Sequence, residues 1–548
     1  MQNLKLSDIK IFFIVLISLV VFLQGIFLIP PLDRDESRFA ASTKNMIESE
    51  NFIDIQLENV SRYKKPIGIY WAQAAFTKFL GTSPYNKIWT YRIPSLFGLI
   101  LSIVLIYFSC RKIFNHEIAI LSVFFLSTSL LFISEIHQAK TDGFLFLFIS
   151  ICNLIILRSI LDLKNKNKNK NKKLVNIYWI SMAIGVLIKG PIIIIFTILP
   201  LIFCSLISRN INLLRYIHSP LGYLIFLILV LPWFILITIE SDGIFWYESV
   251  VNDLFKKVSS GQESHGFPPG YYTILLFIFF WPGCIFLIDS FKIYFSCFKK
   301  IIIKDQQKLF LFCCFFPCFF VFELIPTKLP HYVFPSYLPL SILISISLFD
   351  YLKKDTIFNL KTFIAYSIYP ITFISTFIIS IYIYSVITIN VLYVSFFLVL
   401  FFLLSLSQLF KKSLAKFLLA ATFFQISVYL SIVHVLNPHL NIFWISKTIN
   451  QVTTLEKDAV GVYHFGYNEP SLVFLMGHKS KRLEPEKMLE KFNSDEKNIF
   501  ILTEKKMNEF SKKDYEDKKF YLIKFFKGFN YSQGKYLKFY IFKNYATR

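Results

Sequence analysis

A polytopic α-helical membrane protein with a small α/β domain at its C-terminus is the fold class this sequence predicts. Three observations carry that reading. The 548 residues are 55% hydrophobic with a mean hydropathy of +0.55, and a soluble chain of this length has no interior large enough for so much apolar surface. Apolar runs of membrane-crossing length recur through residues 1–436. The remainder, 437–548, changes to short alternating strand-like and helix-like runs.

In order, the apolar runs lie at 11–30, 91–109, 118–134, 142–161, 174–190, 191–208, 220–240, 271–291, 309–325, 332–349, 362–385, 387–408 and 416–436, which makes about thirteen spans. The first is too long for the apolar part of a signal peptide and lacks a small-residue cleavage site, so it reads as a spanning helix. With the N-terminus in the cytoplasm, the inside loops collect Arg111-Lys112, the Lys164–Lys173 run, Arg209, Arg215, Lys292, Lys299, Lys300, Lys304, Lys308, Lys353-Lys354 and Lys411-Lys412. The short outside loops hold little beyond Lys140, Lys189, Lys256, Lys257 and Lys328. That asymmetry is the one basic residues impose on membrane orientation.

The formal charge of +23 is therefore spread over loops instead of gathered on one face, which argues against nucleic acid as a partner. The Lys-Asn alternation within Lys164–Lys173 reads as a solvated loop. All eight cysteines fall in apolar runs or in an inside loop, so neither a disulfide framework nor a CxxC metal site is expected. Cys313, Cys314 and Cys318 read as small core residues.

Two outside segments are longer than a turn. Residues 31–90 carry amphipathic stretches at 36–50 and 66–80, expected to lie along the membrane surface; residues 241–270 form the second segment. In 437–548, strands are expected at Ala459–Tyr463, Asn498–Thr503, Phe520–Phe525 and Tyr536–Phe542, and helices at Glu469–Met476, Pro485–Phe492 and Lys505–Lys512. This domain has no nucleotide-phosphate fingerprint, so it is expected to cap or support a site rather than to catalyse.

Chemistry is expected at the outside face. Immediately after the first run stands Asp33-Arg34-Asp35-Glu36-Ser37-Arg38, more charge than a helix stop beside Pro30-Pro31 requires. Asp35 is the expected working carboxylate, with Glu36 beside it and Asp142 in the next outside loop. Arg38, Tyr63, Lys65, Lys189, Lys257, His265, Lys328, His331 and Tyr332 are the expected substrate-binding groups. Carboxylates and several cations on one leaflet suit a ligand with a phosphate and a neutral polar part: cations hold the phosphate, and a carboxylate orients or deprotonates a hydroxyl. A lipid tail on that ligand explains why the site lies at a membrane face. Lys189 stands between Val186-Leu187-Ile188 and the Pro191–Ile195 run, where a lone ammonium is costly, so a partner anion is expected. His331 reads equally as interfacial or functional. No HxxxH or HxxE spacing is present, and no metal ligands are assigned.

These motifs resemble those of bacterial membrane glycosyltransferases related to the protein O-mannosyltransferases and, more closely, to the lipid A aminoarabinose transferase. Asp33–Ala40 resembles that family's Asp-Glu-x-Arg-Tyr-Ala signature. Tyr63-Lys64-Lys65-Pro66 with Ile69-Tyr70-Trp71, Lys140-Thr141-Asp142, Lys189-Gly190-Pro191, the Gln262–Tyr272 stretch and Lys328-Leu329-Pro330-His331-Tyr332 follow in the family's order. The resemblance implies a GT-C fold and a sugar donor carried on a polyprenyl phosphate, presented at the periplasmic side of the inner membrane. The acceptor it implies is lipid A or another envelope glycan. Asp35 corresponds to the essential carboxylate, Asp142 to a second-loop acid, and Arg38, Lys65, Lys189 and Lys257 to cations around the donor phosphate. One departure stands out: the aminoarabinose transferases usually have an acid before the lysine of the Lys-Pro motif, and here Lys64 occupies that place. A divalent metal, the one cofactor the family admits, loses a ligand by this substitution. The readings set against this one are a protein O-mannosyltransferase-like enzyme and a lipid-linked sugar flippase. A transporter would place charges at mid-membrane within internal repeats; here they sit at one face.

Overall fold

The computed structural model describes residues 20–544 except 59, 165–170, 262–265, 352–359, 385–388, 412, 457–458, 478–479, 493, 495 and 509–519. The start of the first expected span, most of the Lys-Asn loop, Lys353-Lys354, Lys412 and the end of the Lys505–Lys512 helix lie outside the described residues. Among the described residues, eight helices are long and apolar enough to cross a membrane, or nine if a pair bent by 66° at its break, His116–Ser127 and Leu130–Ile136, is one span.

The count of about thirteen is not established, and two of the breaks have visible causes. The apolar stretch 174–208 divides where Gly190, at φ +66°, ends the helix Lys172–Lys189 and Pro191 caps Ile192–Ser208. The run at 271–291 divides at Phe280-Trp281-Pro282 into Tyr271–Phe279, a 3₁₀ turn Gly283–Phe286 and Leu287–Ser296. The first break places Lys189 at the mouth of the helix bundle.

The first long loop folds into two helices, α1 (Asp35–Ser49) and α2 (Gly68–Leu80), joined by a two-stranded ribbon of β1 (Gln56–Leu57) and β2 (Val60–Ser61). Asp35 and Glu36 fill the first turn of α1, where carboxylates complement the helix dipole. Neighbouring elements cover most of α1. Ten of its fifteen residues are buried, because α2 packs on one side and the helix Pro470–Met476 covers another.

The C-terminal domain is a five-stranded mixed sheet. Its strands are β3 (Gly461–Phe465), β4 (Ser480–Arg482), β5 (Asn498–Thr503), β6 (Phe520–Asn530) and β7 (Lys535–Asn544), in the order β4-β3-β5-β7-β6. β4, β3 and β5 run parallel, while β7 pairs antiparallel with β5 and β6. β5 is buried throughout, since Ile499 and Ile501 enter one core and Phe500 and Leu502 the other. The expected elements Asn498–Thr503 and Pro485–Phe492 are found at their expected bounds and the other strands and the helix Pro470–Met476 with shifted ends, while a helix at Glu504–Met507 covers the start of the expected Lys505–Lys512. The short edge strand β4 had no alternating pattern to announce it. Helix Pro470–Met476 leaves this domain to meet α1: the Lys44 ammonium donates to the Phe474 carbonyl at 3.1 Å, and the Tyr91 ring meets Phe474 edge-on.

Candidate functional site

The charged motif is fastened from below before it presents anything. Arg92, wholly buried in the helix Ile88–Ile113, grips both oxygens of Glu36 at 2.8 Å. The remaining guanidinium hydrogens reach the carbonyls of Ile26, Ile29 and Pro30, the end of the first described helix. Glu36 in turn accepts from the amides of Ala139 and Leu32 at 2.8 and 2.9 Å. One buried ion pair thus ties the first helix, α1 and the loop 137–140 together, with every strong donor and acceptor satisfied. Glu36, expected beside Asp35 as a reacting group, is committed to this clamp.

Arg34, just ahead of α1, has φ 69° and ψ −115°, a conformation that costs a non-glycine residue about 1–3 kcal/mol. Asp35 follows at the first position of the helix. Its side chain is 46% exposed and lies 3.8 Å from the Arg38 guanidinium. Burial alone would raise its carboxyl, but His331, Lys140, Arg62 and Arg38 outweigh burial and hold it below the usual carboxylate range.

Two charge networks flank Asp35. In the first, Asp142 opens the helix Thr141–Lys164 and binds the Lys189 ammonium at 2.5 Å, so Lys189 has the partner its apolar setting demanded. His331 Nε2 lies 3.8 Å from Asp142, and its Nδ1 lies 3.1 Å from the Lys140 ammonium. Lys140 is also bonded to the buried Glu135 at 2.9 Å. Burial works against the Lys140 charge, but Glu135 and Asp142 prevail and raise its proton affinity. Tyr332 places its ring 5.3 Å from Lys189. In the second network, Asp253 accepts from Lys65 at 2.5 Å and from Lys257 at 2.6 Å. Burial opposes ionisation there too, yet two cations on one carboxylate lower Asp253 to about 2. Lys65, which shares that carboxylate, is pushed down by burial. Arg62 joins the networks, donating to Tyr70 at 2.8 Å and lying over the Phe39 ring.

The structure therefore gathers Asp35, Arg38, Lys65, Asp142, Lys189, Lys257, His331 and Tyr332 at one face, as expected. Lys257, and not the more exposed Lys256, is the lysine that points inward. Besides Glu36, two expected residues stand elsewhere, Tyr63 and Lys328. Tyr63 is buried against the edge of Phe245. His265 lies outside the described residues. Lys328 is corrected from substrate-binding to structural: its fully buried ammonium donates to the carbonyls of Phe322, Glu323 and Ile325, closing the C-terminus of the helix Gln306–Leu324. Lys328→Met is accordingly expected to cost about 1–3 kcal/mol of stability, which thermal melting in detergent measures.

Arg92, inside the apolar run 91–109, and Glu135, at the end of the run 118–134, carry the same signal as Lys189: a charge in an apolar setting that demands a partner. Among the described residues, no three His, Cys, Asp or Glu side chains converge as metal ligands.

Comparison with known proteins bears on this geometry. Residues 64–236 match the family described as dolichyl-phosphate-mannose-protein mannosyltransferase. An undecaprenyl phosphate-α-4-amino-4-deoxy-L-arabinose arabinosyl transferase of Proteus mirabilis is 24% identical over 324 residues, 57% of this chain and 54% of that protein. The corresponding transferase of Wigglesworthia glossinidia brevipalpis is 26% identical over 353 residues, 63% of this chain and 59% of its own length. An uncharacterised Aquifex aeolicus protein is 25% identical over 340 residues, 61% of this chain and 72% of that one. The chain thus spans little more than half the length of the two named transferases. The crystal structure of ArnT from Cupriavidus metallidurans bound to undecaprenyl phosphate superposes with a TM-score of 0.73 at 15% identity, covering 98% of both chains. The fold is therefore that of ArnT, the GT-C architecture the motifs implied, and the matches relate the chain to aminoarabinose and O-mannosyl transferases.

Proposed function

We propose that the protein is an inner-membrane glycosyltransferase that moves a sugar from a polyprenyl-phosphate donor to an acceptor at the periplasmic face, the acceptor being lipid A or a kindred envelope glycan. The observation that carries this reading is the charge balance around Asp35. Arg38, Arg62, Lys65, Lys140, Lys189 and Lys257 face Asp35, Glu135, Asp142 and Asp253, a surplus of cations with His331 left aside. A lipid phosphodiester enters with one negative charge and leaves as a monoester with up to two. The surplus matches the departing group better than the arriving one, which is the condition for stabilising a transition state rather than a ground state.

In a single displacement the acceptor oxygen forms a bond to the sugar carbon as the bond to the phosphate oxygen breaks, inverting that carbon. The electron pair leaves on the phosphate, where Lys189, Lys65 and Arg38 receive it. Before the donor binds, Asp35 is held below the usual carboxylate range and orients the acceptor; donor binding engages the cations around it and raises its proton affinity, so that Asp35 takes the proton a hydroxyl acceptor gives up. A phosphate acceptor, which enters already ionised, needs no base at all.

The arabinosyl transferase relatives and the undecaprenyl phosphate named for the ArnT structure support the donor class. Charges set at helix ends on one face favour transfer over a flippase reading. The test uses the protein in lipid nanodiscs with a polyprenyl-phosphate sugar and, separately, a nucleotide sugar. Release of polyprenyl phosphate that depends on an added lipid A acceptor is the expected result. Turnover of the nucleotide sugar alone contradicts the reading.

A further inference from the structure

The charged motif is held from above as well as from below. The turn between β6 and β7 reaches the segment just ahead of Asp35 from 498 residues away in the chain: the Asp33 amide donates to the Tyr531 hydroxyl at 2.6 Å, and the Arg34 guanidinium donates to the Ser532 carbonyl at 2.9 Å. The turn has its own anchor. Glu469, 4% exposed, accepts from Asn530 Nδ2 at 2.8 Å, Ser532 Oγ at 2.5 Å and Gln533 Nε2 at 3.4 Å. Glu469 immediately precedes the helix Pro470–Met476, whose Phe474 meets α1 through Lys44, so the turn holds the segment ahead of α1 and the helix holds α1 itself. Between these contacts stands Arg34, in a positive-φ conformation that relaxes unless its neighbours hold it.

We propose that the β6–β7 turn is a positioning element for sugar transfer, in which Tyr531 and Ser532, braced by Glu469, hold Asp33-Arg34 so that Asp35 faces the cation basin. This rests on the reading of Asp35 given above. The Arg92–Glu36 clamp fixes the depth of the motif but contacts nothing ahead of Leu32 on its outer side except carbonyls of the first helix. The outer contact adds a second hold, on the two residues directly before Asp35. The C-terminal domain thereby acts on the reaction without touching substrate.

Tyr531→Phe removes the hydroxyl that accepts from Asp33 while keeping the ring, and Glu469→Gln removes the charge that organises the turn. Each is expected to lower kcat about tenfold, the worth of one well-placed hydrogen bond, with the donor KM unchanged within about twofold. Amide exchange in peptides covering 31–38 is expected to rise in both variants, with exchange in the helix Ile88–Ile113 unchanged. Ser532→Ala, which loses the hydroxyl contacts to Glu469 and Asn530 but keeps the carbonyl that accepts from Arg34, is the companion variant should either of the others melt early. Unchanged kcat in folded variants, or a raised KM with kcat intact, overturns the proposal. Asp35→Asn assayed alongside separates the two claims: if it retains wild-type turnover, the reading of Asp35 fails; if it is inactive while the turn variants are fully active, only the positioning role fails.

Discussion

Arg92→Leu is expected to destabilise the protein by about 3–5 kcal/mol, the cost of leaving one member of a buried ion pair uncompensated. The Glu36 carboxylate would remain wholly buried with its strongest donor gone. Replacing both partners with apolar residues often restores stability in simpler pairs, but it is not expected to do so here. Arg92 also satisfies the carbonyls of Ile26, Ile29 and Pro30, and Glu36 satisfies the amides of Ala139 and Leu32. A Glu36→Leu/Arg92→Leu double variant would orphan all five backbone groups, each costly when buried. Thermal melting in detergent checks this: both variants should melt well below wild type, and a double variant as stable as wild type would show that the clamp is an ordinary ion pair.

Asp35→Asn is expected to lower turnover by about 100- to 10,000-fold, the range associated with a positioned acid–base or orienting group, with little change in melting temperature. The side chain is half-exposed and its ion pair with Arg38 is loose at 3.8 Å, so little of the fold depends on it. The contrast with Glu36, its neighbour in sequence, is the informative part. Two adjacent carboxylates in the first turn of one helix point about 100° apart; one enters the core against Arg92 and the other meets the basin. Kinetics and melting measured on Asp35→Asn and Glu36→Gln together should show activity lost in the first and stability lost in the second.

Much of this architecture was legible because the bilayer makes burial expensive. Apolar runs marked the helices, and Lys189 announced a partner that proved to be Asp142. The five loops that bring Asp35, Lys65, Asp142, Lys189, Lys257 and His331 together followed from placing the spans in alternation. What stayed hidden depended on distance in space rather than pattern in sequence. Nothing local distinguishes Lys328, whose own helix end absorbs its charge, from Lys189, which meets a carboxylate on another helix. Likewise Glu36 and Asp35 look alike until Arg92 is seen beneath one of them. The division of 271–291 at Trp281-Pro282 was obscured because proline is tolerated within apolar helices, as at Pro94, Pro200 and Pro232. The β6–β7 turn carries no motif, and its reach to Asp33 is visible only in the folded chain.

If Asp35 and the cations around it transfer a sugar from a lipid phosphate to an envelope glycan, the glycan itself records the reaction. Mass spectrometry of lipid A and of lipid-linked sugars, from cells expressing the wild-type or the Asp35→Asn protein, tests it most directly. Lipid A heavier by one sugar is expected with the wild type only, and a build-up of unspent lipid-linked sugar with the variant. Equal modification by both proteins, or a lipid-linked sugar that changes leaflet with no glycosylated product, would contradict it.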